Sequence, residues 1–480
     1  MERCLFAARP EFSTADLNTT IYCSAHPRRS DSGEPDASVL LYRSNDAFKS
    51  SSVLGSTGIR DFGIFGRFLA AVQQTQQSST LLVSVDGISL RASRYPDNLA
   101  SRELTYTVLE STPSSLFVDV SAPASYERLA GTMLSSSSDG TQFSIVLQKT
   151  SRHGWIVDFE RVQSTKEILL ANILTNPVEA SMGAPKRRRT LISFDNGAEW
   201  FPIPAPPLDV NGNRIDCPGD CSLHLHNVAS RRPINYLYSA ESAPGLLVAV
   251  GNTGEFLSDY EDARTYVSRD AGLTWQEVRQ GPYLHKIGDS GSLLVLADDR
   301  QPTDTLRYSL NEGQSWNDFK FSEQPCRVKS ISNDPRGLSK HFLLFGRKSG
   351  AGARTPFVVI HVDMSRTGEP CRTSDFEEWT VRKRTDFADL CFMGQRTAYE
   401  RRRAGSTCSI GRRVVPPPRV SAVCECKEWD FECDLNFERN AEDKCVRTAG
   451  SPVPDTCRYG EKYSAPSGCV YYADVPELCL

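Results

Sequence analysis

Several groups of residues have types and spacings that chemistry can use. Gly288-Asp289-Ser290-Gly291-Ser292 has the composition of a loop that presents a nucleophilic serine. Such a serine works only with a base and an acid held beside it. His224 and His226 are two residues apart, so on a strand they share a face and could ligate one metal ion. Cys424 and Cys426 suggest zinc by the same logic. Lys186, Arg187, Arg188 and Arg189 form a basic run that could be a nuclear signal or a processing site. Each has a plainer reading, which the surrounding sequence favours: a tight turn, an ordinary strand, a disulfide pair and a solvated loop. A second basic cluster, Arg401 to Arg403, is likewise expected to be solvated surface.

The elements that must position these residues are short strands. Runs such as TLLVSVD (residues 80–86), PGLLVAVG (244–251) and PFVVIHVD (356–363) alternate with turns rich in Gly, Asp, Asn and Ser. Long helical patterns are scarce, so the chain reads as an all-β repeat array. Its 480 residues exceed one ordinary compact domain. A net charge of −4 argues against a nucleic-acid partner. No run approaches the roughly 20 apolar residues of a membrane span. The opening MERCLFAARP offers five apolar residues before Arg9, short of a secretory leader. The expectation is that an entry signal lies outside this sequence.

Three segments repeat closely: Ser193-Phe194-Asp195-Asn196-Gly197-Ala198-Glu199-Trp200, Ser268-Arg269-Asp270-Ala271-Gly272-Leu273-Thr274-Trp275, and Ser309-Leu310-Asn311-Glu312-Gly313-Gln314-Ser315-Trp316. This pattern, S-x-D-x-G-x-x-W, is the Asp box. The Ser and Asp side chains bond backbone groups of a tight turn, and the Gly takes a positive φ. The Trp packs back into the sheet. Weaker copies surround Asp46, Asp86 and Asp139. The series 46, 86, 139, 195, 270 and 311 has the spacing of propeller blades. Six turns imply five to six blades, ending near Ser365, with a long loop around 217–226.

Ten of the 15 cysteines fall between Cys371 and Cys479. That density belongs to oxidising compartments, where disulfides stiffen segments that lack an apolar core. A glycosylation acceptor at Asn18 agrees.

Asp boxes occur in several families, and the tail separates them. The stretch Cys424-Glu425-Cys426-Lys427-Glu428-Trp429-Asp430-Phe431-Glu432-Cys433-Asp434 resembles the ten-cysteine module of the sortilin family. So does the stretch from Cys391 to Tyr399. Cys221-Ser222-Leu223-His224-Leu225-His226 resembles a blade motif of the same family. The resemblance implies an all-β chain: a partial Asp-box β-propeller of ten-bladed type over residues 1–365, then a ten-cysteine disulfide-rich module over 366–480. It implies the lumenal, ligand-binding part of a type I membrane receptor on Golgi, trans-Golgi and endosomal membranes. Such a receptor carries soluble cargo proteins toward endosome, lysosome or vacuole. No catalysis, metal or other cofactor is implied. The partners are soluble proteins or peptides. A membrane span and a tail for cytosolic sorting adaptors would lie outside this chain.

Two rival classes stay open: an Asp-box glycosidase of sialidase type, and a secreted propeller that binds without trafficking. A sialidase needs clustered arginines, a Tyr nucleophile and acidic partners. It usually carries an R-I-P motif, absent here, and has no place for a ten-cysteine tail.

The family order of disulfides, carried over, pairs Cys371 with Cys408, Cys391 with Cys424, Cys426 with Cys469, Cys433 with Cys445 and Cys457 with Cys479. In the propeller it pairs Cys4 with Cys23 and Cys217 with Cys221. Cys326 is then left free in this chain. Sortilin holds a peptide's C-terminal carboxylate with an arginine. The matching position here is about Ser79, with Phe68 as the aromatic wall of the pocket. The cationic anchor is therefore expected to be lost, because no arginine lies between Phe68 and Leu90.

Overall fold

The computed structural model describes most of residues 3–425 and four short strands beyond them. The longer stretches it leaves out are 13–18, 27–38, 122–128, 228–237, 349–355 and 382–390, together with nearly all of 426–480. By packing, the chain forms two compact units, one of residues 1–157 with 426–480 and one of residues 158–425. The expected division at 365/366 follows composition, and packing does not divide the chain there.

The fold is all-β, a series of antiparallel meanders of propeller-blade type. Unit one holds two four-stranded sheets and a third four-stranded meander. The first is Arg3–Phe6, Ile21–Ala25, Leu40–Ser44 and Ser52–Leu54. The second is Ile59–Phe65, Phe68–Gln74, Ser79–Ser84 and Arg91–Ala92. The third is Thr105–Ser111, Leu116–Ser121, Ala130–Ser136 and Phe143–His153. Unit two continues the pattern. Its meanders are Phe159–Arg161, Leu169–Leu174, Arg188–Ser193 and Phe201–Pro202; then Ser222–Leu225, Leu247–Gly254, Arg264–Ser268 and Gln276–Arg279; then Tyr283–Gly288, Leu293–Asp298, Thr305–Ser309 and Asn317–Lys320. Two three-stranded sheets follow: Cys326–Ser332, His341–Lys348 and Phe357–Asp363, then Phe376–Thr380, Gln395–Arg402 and Arg419–Val423. No helix among the described residues is long and apolar enough to cross a membrane.

All six Asp-box positions, 46, 86, 139, 195, 270 and 311, fall between the third and fourth strands of a four-stranded meander. The six turns thus correspond to six complete meanders. The wide step from 195 to 270 holds a long loop, 203–221, that carries the Cys217–Cys221 bond, and then the strand Ser222–Leu225.

Strands with apolar residues on both faces explain why runs such as LLVLA read as continuous rather than alternating. Leu293, Val295 and Ala297 pack with Phe342 and Leu344 of the next sheet. Leu294 and Leu296 pack with Val248 and Val267 of the sheet before. Each central strand thereby joins two cores. In unit one, Phe68, Ala70, Leu81 and Val83 meet Leu116, Val118, Leu134 and Phe143 in the same way. One buried ion pair interrupts this pattern. Arg152 reaches Asp119 at 2.5 Å with both side chains sealed from solvent. Burial pushes the Asp119 carboxyl up to about 6 against the pull of Arg152.

Candidate functional site

The three intact Asp boxes have one geometry. Ser193 Oγ donates to Asp195 (2.8 Å) and accepts the Gly197 N–H (2.8 Å), while Trp200 Nε1 donates to the Gly197 carbonyl (3.1 Å). The Ser268, Asp270, Gly272, Trp275 set and the Ser309, Asn311, Gly313, Trp316 set repeat these bonds within 0.1 Å. The decayed copy at Ser44 and Asp46 keeps the same donor, with the Phe48 N–H on Ser44 Oγ at 2.8 Å. The residue before each box glycine is also left-handed: Asn196, Ala271 and Glu312 have φ of 57–59°. The motif therefore holds a pair of left-handed residues, where the sequence pattern suggested one.

The box glycine also sets the spacing between neighbouring sheets. A Cβ on Gly140 would lie 2.4 Å from Val83, one on Gly272 2.6 Å from Ile192, and one on Gly313 3.5 Å from Val267. Each contact is on the third strand of the preceding sheet. Gly272→Ala is thus expected to cost about 2–3 kcal/mol, from positive-φ strain plus overpacking. Chemical unfolding of the full chain measures it; a loss under about 0.5 kcal/mol would show that the turn does not seat against Ile192.

The residues expected to form a ligand pocket are not together. Phe68 pairs with Phe65 at one end of its hairpin, whereas Ser79 pairs with Gln74 at the other. Six residues of strand separate the two ends, roughly 20 Å. Phe68 is fully buried in the core against Val83 and Leu81 and presents no surface to a ligand. The expectation of one pocket made by both residues is corrected by this antiparallel register. Ser79 is partly exposed, and its carbonyl accepts the Tyr106 hydroxyl at 2.9 Å. At the same end Arg60 donates to Gln74 Oε1 at 2.8 Å. A search of the window 68–90 could not find this cation, because it arrives from the preceding strand.

The serine loop is a structural joint. Asp289, Ser290 and Gly291 have consecutive positive φ values of 50°, 54° and 95°. The Asp289 carboxylate is buried and receives Ser409 Oγ (2.8 Å), the Ile410 N–H (3.1 Å), the Gly411 N–H (2.7 Å) and Ser292 Oγ. Lys340 Nζ lies 3.9 Å away. The carboxylate beside the serine thus holds the loop after strand Gln395–Arg402 onto the hairpin. Ser290 itself is buried.

Both basic clusters are less solvated than expected. Arg188 and Arg189 open a strand rather than ending a loop. Arg189 bonds the Glu255 carbonyl (3.1 Å) and stacks on Phe256. In the second cluster Arg402 is 3% exposed and donates to the Cys408 carbonyl. Arg401 pairs with Glu377 (3.1 Å), donates to the Arg269 carbonyl (2.6 Å) and covers Trp379. These arginines fasten the cysteine-rich segment to the Asp-box sheet, a role that a run of charges does not announce.

His224 and His226 lie on a buried strand and just after it, with burial lowering their pKa values to about 4 and about 3. His224 Nδ1 accepts the Thr190 N–H (3.1 Å), and Nε2 faces the Gly254 carbonyl (3.1 Å). His226 packs edge-on against Tyr260. Both residues are buried, as the strand reading expects.

Cys4 is bonded to Cys23, Cys217 to Cys221, Cys371 to Cys408 and Cys391 to Cys424. Cys326 is buried and free. The side chains of Cys426, Cys433, Cys445, Cys457, Cys469 and Cys479, and Asn18, lie outside the described residues. Among the described residues one cluster, Cys371, Asp375 and Cys408, has metal-ligand spacing, and its two sulfurs are already joined.

A family described as "Sortilin, neurotensin receptor 3" matches residues 1–331, and "Sortilin, neurotensin receptor 3, C-terminal" matches 333–473. The chain belongs to the sortilin family. Its curated relatives include proteins named "Vacuolar protein sorting/targeting protein 10". That of Laccaria bicolor is 36% identical over 84% of this chain and 28% of its own length. That of Talaromyces stipitatus is 32% identical over 96% and 31%, and that of Aspergillus terreus 32% identical over 99% and 33%. The chain spans about a third of the length of these sortilin relatives. Among solved structures, a GH74 enzyme of Niastella koreensis covers 79% of this chain and 74% of its own at 12% identity, with a TM-score of 0.22. The β-propeller domain of the Trilobed protease from Pyrococcus furiosus covers 72% and 92% at 9% identity, with a TM-score of 0.28. Neither likeness bears on function.

Proposed function

We propose that this chain is the lumenal, cargo-binding part of a type I membrane receptor that carries soluble proteins from the Golgi toward endosome and vacuole. The observation that carries the proposal is the tandem match of both sortilin segments over one chain of Asp-box sheets. Relatives that bear sorting names, and not enzyme names, support it. The nucleophile loop, the histidine pair and the basic runs each have a structural occupation described above, which supports a non-catalytic role. Deleting this segment in frame from the full-length receptor is expected to release a soluble vacuolar hydrolase into the medium. Full retention of the hydrolase in the vacuole would sink the proposal.

Recognition does not run through a carboxylate anchor at Ser79, since a hydroxyl offers one hydrogen bond and no charge to a peptide end. The receptor reads folded or internal segments instead. A cargo peptide should therefore bind the full chain equally well with a free or an amidated C-terminus. A tenfold loss on amidation overturns this. Loss of that preference in Arg60→Ala would then locate the anchor on the first strand.

A further inference from the structure

We propose that strand Phe357–Asp363 pairs, edge to edge, with the same strand of a second copy of this chain. Six meanders have four strands, whereas the sheet of Cys326–Ser332, His341–Lys348 and Phe357–Asp363 has three. Among the described residues Phe357–Asp363 pairs, as a strand, with His341–Lys348 alone. Alternate backbone N–H and C=O groups on its other side therefore face outward, a template for one more strand.

The other meanders end in blunted edges. Five of their fourth strands are four residues or shorter: Ser52–Leu54, Arg91–Ala92, Phe201–Pro202, Gln276–Arg279 and Asn317–Lys320. The remaining one, Phe143–His153, bulges at Lys149, which has a positive φ, and is joined near its end by Ile156–Val157. Short, charged or bulged edges discourage further pairing. Phe357–Asp363 has the opposite character. It runs seven residues without Pro, Lys or Arg, and its one acid stands last.

The strand is complementary to itself. Centred on Ile360, an antiparallel pair sets Ile360 opposite the partner's Ile360 and Val358 opposite the partner's Val362. That extends the apolar face carrying Phe342 and Leu344. On the other face Phe357, Val359 and Leu343 are 59%, 53% and 40% exposed. There Val359, with Phe345 behind it, meets the partner's His361. Phe357, with Arg347 behind it, meets the partner's Asp363. Arg347 and the partner's Asp363 stand two strand spacings apart, roughly 10 Å between Cα atoms, a gap their side chains close. The two-fold axis makes this charge pair twice. A parallel copy would instead set Asp363 beside the partner's Asp363. Seven facing pairs form a small interface, so the dimer is reversible.

Sedimentation of the full chain from about 1 to 100 µM reads the association. Wild type is expected to dimerise with a Kd on the order of 10 µM. Val359→Lys, which puts a charge on the exposed edge, should weaken the dimer at least about tenfold. Arg347→Asp and Asp363→Arg should each weaken it severalfold, and the two together should recover the wild-type constant. All three residues are exposed, and circular dichroism checks that the variants fold. A dimer that Val359→Lys leaves unchanged would overturn the proposal, and so would a double reversal no better than either single one. So would a chain that stays monomeric at about 100 µM yet binds the peptide Lys-Val-Thr-Val-Ile-Val-Thr-Glu at this edge, since the edge would then belong to a different partner.

Discussion

Replacing Asp289 with alanine is expected to loosen residues 409–411 from the hairpin that holds them, at a cost of about 3–5 kcal/mol. The carboxylate is 1% exposed and collects four hydrogen-bond donors from two segments. Removing it leaves two backbone N–H groups and two hydroxyls facing each other without an acceptor, and uncovers Lys340. Breaking a buried ionic arrangement by deleting one member typically costs that much. The hairpin also holds two non-glycine residues at positive φ, each at a cost of about 1–3 kcal/mol that the carboxylate's bonds offset. Hydrogen exchange of the full chain gives a local readout. The Gly411 amide, bonded at 2.7 Å in the native chain, should exchange at least about a hundredfold faster in Asp289→Ala. Asp289→Asn, which keeps one acceptor, should fall between. Unchanged exchange over 409–411 would show that the carboxylate is not the joint.

Acid is expected to weaken the sheet built on Ser222–Leu225. His224 and His226 have folded pKa values of about 4 and about 3, against 6.5 when unperturbed. Desolvation is the main cause, and Arg189 and Arg188 add repulsion. Protonating His224 would also turn Nδ1 from acceptor to donor against the Thr190 N–H. Because the folded values are depressed, the unfolded chain takes up protons first. The stability these groups contribute is complete above pH 6.5 and falls as pH drops below it, down toward pH 4 and pH 3. At pH 5 each histidine should cost about 2 kcal/mol relative to pH 7, so the pair costs about 4 kcal/mol.

Asp119, in the other unit, works in the opposite sense. Its raised value means a contribution that is present in acid and lost as pH rises through about 6. The loss on acidification should therefore appear in strand Ser222–Leu225 and not in strand Leu116–Ser121. Hydrogen exchange at pH 7, 6 and 5, with intrinsic rates corrected, separates the two. A double variant, His224→Gln with His226→Gln, should flatten the pH dependence of the first strand. A slope as steep as wild type in that variant would refute the assignment.

The repeats, the strand character and the cysteine tail were legible because each is written locally. A turn needing Ser, Asp and Gly at fixed offsets leaves its mark within eight residues, and strands buried on both faces appear as unbroken apolar runs. The contacts that join one sheet to the next were not legible, because they pair residues far apart in the chain. Gly272 against Ile192, Asp289 against Ser409 and Arg401 against the Arg269 carbonyl are all of this kind. Register decided the fate of Phe68 and Ser79, which a linear count placed in one pocket and an antiparallel hairpin sets roughly 20 Å apart. Register likewise brings His341 and His361 together across 20 residues. By itself the sequence determined the family, the all-β class and where the turns lie, since these rest on local backbone preference and on which residues must be buried. Which polar side chains became joints, which became core and which remained free to meet a ligand was decided by tertiary structure, because burial and hydrogen-bond partners exist only once distant strands are paired.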